Sequence, residues 1–167
     1  MSHGIPSSLR TRRRGKRSDR RGVTMTEFAI VLPVFILFVL GMIEFGRAFM
    51  VTQMLNAATR MGARQGSLDG VSSNDVVTIA KDFLSAGGIN PSDVRIQVLD
   101  ASVFDDTNQD PDDPPDLEDL DDMELADAGQ RDLAIILAEV DYDDVSLFSP
   151  WWLGSATLRS TAVLRHE

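Results

Sequence analysis

Sixteen consecutive residues without a charge, Phe28 to Ile43, constrain this 167-residue chain more than any other feature. Counted from Val23 the apolar stretch is twenty-one residues, with Glu27 its single charge, and as a helix it is about 31 Å long at ~1.5 Å per residue. That matches the ~30 Å hydrocarbon core of a bilayer. The buried helix of a soluble protein is rarely apolar on every face over such a length. A cleaved secretory signal has a shorter apolar core followed by a small-residue cut site, whereas this run passes straight into Glu44-Phe45-Gly46-Arg47. Residues 23–43 therefore read as a transmembrane helix.

Charge orients it. Arg10, Arg12, Arg13, Arg14, Lys16, Arg17, Arg20 and Arg21 precede the span against one acid, Asp19, while Glu44 and Arg47 follow it. The positive-inside rule keeps the N-terminus in the cytoplasm and sends the rest across. An arginine cluster can also be a nucleic-acid or import patch, but beside a span a topological role is simpler. Residues 1–21 carry net +7, so the remainder carries −17 of the chain's −10. An exterior that acidic argues against nucleic acid and anionic surfaces and suits cationic partners.

Glu27 lies about four residues, roughly 6 Å, from the charged boundary and can reach toward headgroups, so its presence alone demands no function. Its distance from Gly22 is more informative. A cut after that glycine would place an α-ammonium on Val23, four residues before the acid. When such apolar rods bundle, the amine of one can neutralise the carboxylate of another. The alternative is an interfacial Glu27 with no partner.

Three separated motifs agree in order and spacing: Gly22, Val23 and Thr26-Glu27-Phe28-Ala29-Ile30-Val31-Leu32-Pro33; Glu44-Phe45-Gly46-Arg47; and Asn56-Ala57-Ala58-Thr59-Arg60-Met61-Gly62-Ala63-Arg64. The first resembles type IV prepilins, with a basic leader ending in glycine and glutamate at the fifth mature position. Together they resemble the TadE-like pseudopilins of the tight adherence (Tad) pilus, over about Gly22 to Gly66. The resemblance implies a substrate rather than a catalyst: a leader of residues 1–22 removed after Gly22 by a membrane-embedded prepilin peptidase, and a minor pseudopilin that helps assemble the pilus. It implies other pilins or pseudopilins, the assembly platform and inner-membrane lipid as partners. It also implies a bacterial inner-membrane, single-pass location, with entry into an extracellular pilus left open. Phe28, Pro33, Glu44 and Arg47 join Glu27 as candidate subunit contacts.

Pro33 removes the donor for the carbonyl of Ala29 and bends a helix there, either as a hinge for transfer into a filament or as a packing kink. Beyond the span, residues 44–66 read as a soluble continuation of the helix. Met50, Met54, Ala57 and Met61 form one stripe and Gln53, Asn56, Arg60 and Arg64 the opposite one, so the methionines are expected to face a core. Glu44 and Arg47, at i and i+3, can pair locally.

Residues 67–167 read as a small extracytoplasmic α/β domain, making the whole chain α+β. Ser72-Ser73-Asn74-Asp75 is a helix-capping signal, with Val76, Ala80, Phe83 and Leu84 on one face and Gly87-Gly88 and Pro91 as the stop. Strands are expected at Val94-Ile96-Val98, Leu133 to Tyr142 and Leu158 to Leu164, the last with Arg159 and Arg165 facing out. They give a small antiparallel sheet for the long helix to pack on. Trp151-Trp152 suits a plug at the core's edge, or an interfacial anchor or partner contact.

Asp105 to Asp127 holds twelve acids and no Lys or Arg, a composition that reads as a solvated, disordered loop. Asp106, Asn108, Asp110 and Asp112 have hard oxygen ligands at two-residue spacing, a weak calcium signal because Pro111 stands where an EF-hand wants glycine and Leu117 where it wants glutamate. This leaves a second function open, a permanently anchored outer domain binding calcium or a protein through that loop. No cofactor is expected. Catalysis is not either: His3 and His166 lie at the chain ends, cysteine is absent, and the carboxylates lack apolar walls to raise a pKa.

Overall fold

The computed structural model describes residues 19–105, 115–148 and 156–166. The chain divides into two units, residues 1–41 and 42–167. Helix α1, Asp19–Gly66, contributes to both and includes Pro33 without a break. In the first unit the side chains of residues 22–39 are all exposed, as an apolar rod must be when lipid or a neighbour is its solvent. The helix from Gly22 is long and apolar enough to cross a membrane.

In the second unit, α2 (Ser73–Ala86) precedes β1 (Val94–Asp100), β2 (Leu133–Asp141), the single-turn α3 (Tyr142–Val145) and β3 (Thr157–Arg165). The strands form one antiparallel sheet in the order β1-β2-β3. The capping box forms as the sequence predicts: the Ser72 hydroxyl accepts from the Asp75 amide and the Asp75 carboxylate accepts from the Ser72 amide. The Ser72 hydroxyl, which also donates to the Asp75 carboxylate at 2.7 Å, and then the Ser72 amide hold the Asp75 carboxyl below the usual carboxylate range. Val76, Ala80 and Leu84 then face the core, with Phe83 half-buried beside them.

The methionine stripe is corrected in part, since Met54 packs half-buried against the core while the rest of the stripe does not. Met50 and Met61 are 45% and 43% exposed, and Ala57 is exposed too. The buried seam is Glu44, Val51, Leu55, Ala58, Thr59, Gly62 and Gly66. It wins because small residues let the helix approach the sheet closely. A Cβ at Gly62 would meet Val76 Cγ1 at 3.1 Å and Ile136 Cδ1 at 3.2 Å, and one at Gly66 would meet Leu125 Cδ1 at 3.0 Å. Asn56, expected on the solvent face, is half-buried instead. Its Oδ1 accepts from Ser160 Oγ of β3 at 2.9 Å, and Ser160 Oγ lies 3.1 Å from Thr59 Oγ1.

The second half of the acidic segment is not a solvated loop. Met123 N donates to Val98 O and Asp100 N to Asp121 O, pinning the segment along β1. Leu125 is fully buried. Glu124 accepts from the Ser73 amide at 2.8 Å, which with the Ala126 amide holds its carboxyl below the ordinary value. Leucines at 117, 120 and 125 interrupt the acids and supply the burial that charge alone could not. Asp106, Asn108, Asp110, Asp112 and Trp151-Trp152 lie outside the described residues.

Candidate functional site

Two places on α1 concentrate the chemistry. The first is the segment where processing is expected. Gly22 and Val23 lie within α1, a Cβ at Gly22 would meet no other side chain among the described residues, and the Thr26 hydroxyl donates to Gly22 O at 2.9 Å. Glu27 and Phe28 are exposed, open to a neighbouring rod.

The second is built around Glu44. Sequence places it as a charge just past the span; the fold makes it the first member of α1's buried seam, 5% exposed. Its carboxylate does not pair with Arg47. Oε2 accepts from the Tyr142 hydroxyl at 2.5 Å, and Oε1 accepts from the amides of Leu147 and Phe148 at 3.0 and 2.6 Å. Arg47 Nε donates to Val145 O at 3.0 Å. The expected i, i+3 pair is thus replaced by four hydrogen bonds into one turn, because the Val145 carbonyl at the end of α3 and the Leu147 and Phe148 amides after it have no partner within a helix. One acidic and one basic side chain clamp residues 142–148 to the base of the soluble helix. The pattern Glu-x-x-Arg was visible; its partners, about a hundred residues later, were not.

Burial, and then the Glu44 carboxylate, push the Tyr142 hydroxyl up to about 12. Its neutral form is favoured by folding, so this contribution is complete below the ordinary tyrosine value of 10.0 and is lost as pH rises through about 12. Tyr142 is the chain's single tyrosine, so tyrosinate absorbance near 295 nm reads this site alone. The midpoint is expected near about 12 rather than 10.0 in the intact protein. A Glu44→Ala variant should titrate lower.

A third polar cluster lies on the sheet. Register aligns Arg95, Glu139 and Arg159 in one row across the three strands. Glu139 is 3% exposed and bridges both guanidiniums, while Arg159 also binds Glu118 at 2.7 Å. Its hydrogen bond to Glu139 raises the pKa of Arg95, and its hydrogen bond to Glu118 and then the charge of Glu139 raise that of Arg159. These residues line a cleft of about 380 Å³. Both arginines are already matched by carboxylates, so the cleft is a cross-strand brace rather than an anion site. Sequence reasoning missed Glu139 because it sits inside an apolar run. Among the described residues no cluster of His, Cys, Asp and Glu could hold a metal ion.

No curated protein and no solved structure matches the chain significantly. The segment holding both the apolar rod and most of its buried seam does match: residues 22–64 are similar to the family described as TadE-like protein.

Proposed function

We propose that the chain is a minor pseudopilin of a Tad-type pilus or secretion apparatus, a structural or assembly subunit matured by cleavage after Gly22. The observation that carries this reading is the coincidence of the TadE-like match with a helix long and apolar enough to span a bilayer. The basic residues before it favour a cytoplasmic leader, and the folded unit from Met42 onward is then extracytoplasmic. A membrane-embedded prepilin peptidase removes residues 1–22, leaving the Val23 ammonium four residues from Glu27. Other pilins or pseudopilins and the assembly platform receive the rod. The protein is a scaffold in this reading and catalyses nothing.

Intact-mass measurement of the protein extracted from membranes of its native host tests this directly. A mature chain beginning at Val23 is expected. Retention of residues 1–22 in cells with an active prepilin peptidase would overturn the assignment and leave a permanently anchored outer module.

A further inference from the structure

We infer that the turn following α3 is a second membrane contact, with Leu147 and Phe148 entering the lipid interface at the Ile43 end of the span. This rests on the reading of α1 as membrane-spanning. Met42 and Ile43, the last apolar residues of that run, belong to the same unit as the turn. Helical side chains tilt toward the helix N-terminus, so the Glu44 carboxylate is carried back over the turn that ends the apolar run. The Leu147 and Phe148 amides hang on that carboxylate at 3.0 and 2.6 Å. The backbone of the turn is therefore held at the depth where the bilayer boundary falls.

The side chains there point to lipid as the occupant. Leu147 and Phe148 are each 58% exposed, and Phe45, one residue past Glu44, is 79% exposed. Met42 and Ile43, just before Glu44, are exposed as well, so apolar side chains stand open on both the helix and the turn that the clamp joins. A soluble domain gains nothing by presenting aromatic and aliphatic groups to water, whereas the interfacial zone accepts them. Asp143 and Asp144 are exposed on the preceding turn, which favours zwitterionic over anionic headgroups.

The chain has no cysteine, so single cysteines carry a fluorophore unambiguously. We would label full-length Phe148→Cys, Phe38→Cys and Val163→Cys proteins with the same polarity-sensitive dye. Val163 is 63% exposed and pairs with Ile135, toward the end of the sheet away from α3. Each protein is reconstituted into phosphatidylcholine–phosphatidylethanolamine vesicles with and without lipid bearing a nitroxide near the headgroup end of its acyl chain. Phe148→Cys leaves the clamp intact, because Glu44 binds backbone amides there. Residue 148 should be quenched by roughly half, as an interfacial group is, and residue 163 not at all. Quenching at 38 without quenching at 148 overturns the proposal while keeping the span. So does a blue-shifted emission at 148 that nitroxide lipid leaves unchanged, which would mean that protein covers the turn. Absence of quenching at 38 overturns the span itself and this contact with it.

Discussion

Replacing Glu27 by alanine should abolish piliation while leaving membrane insertion and leader removal intact. The substitution removes a charge from an apolar rod, so insertion becomes easier by up to ~2.5 to 3.5 kcal/mol if the residue reaches the bilayer centre and by less at the interface. Cleavage at Gly22 depends on the backbone there, which the change does not touch. Assembly is different. On the proposed reading the Val23 ammonium freed by cleavage, with an ordinary pKa near ~8, would have to enter an apolar bundle, and without a carboxylate from a neighbouring rod it would enter unpaired. Breaking such a pair costs about 3 to 5 kcal/mol when it is buried, a factor of roughly 150 to 5,000 in subunit incorporation. Electron microscopy of surface pili, with N-terminal sequencing of the membrane pool, checks both halves. Normal pili in this mutant would reduce Glu27 to an interfacial residue without a partner.

The second large effect is expected at Glu44. Alanine there strips the Tyr142 hydroxyl and the Leu147 and Phe148 amides of their acceptor at once. Hydrogen bonds to charged groups contribute about 1.5 to 3 kcal/mol each and buried donors left unmet are penalised further. Because Leu147 and Phe148 are exposed enough for water to replace part of the loss, the net destabilisation should be on the order of 3 kcal/mol. Thermal melts of the detergent-solubilised full chain should show a fall of roughly 10 °C. Tyr142→Phe removes one donor and leaves two, so its effect should be about 1 kcal/mol. If Glu44→Ala melts like the parent protein, residues 142–148 are not held by this carboxylate.

How far the sequence could be read varied with the range of the interactions involved. The capping box at Ser72 and Asp75, the glycine stop after Ala86 and the three strands depend on neighbours in the chain, and each was legible. The seam of α1 was not. Methionines at Met50, Met54 and Met61 have helical spacing, and so does the true seam beside them. What separates the two is volume: Ala58, Gly62 and Gly66 give room to Val76, Ile136, Leu125 and Leu164, which pattern cannot weigh without the partner surface. The second half of the acidic segment, from residue 115, was misread for a related reason. The whole segment's twelve acids dominate its composition, yet Leu125 and the backbone bonds to β1 decide the place of this half. Glu44 and Glu139 show the same limit: a buried carboxylate announces itself only through donors that sequence separation hides.

The attachment of α1 to its domain also has a mechanical side. From the Glu44 clamp through the Asn56–Ser160–Thr59 bridge to Gly66, the contacts are spread along about 33 Å of helix axis, at ~1.5 Å per residue. If the chain is built into a fibre as proposed, a pull along residues 44–66 loads these contacts in shear, so they fail together rather than peel one by one. The folded unit is thus riveted to its own segment of α1 rather than hung from one end of it.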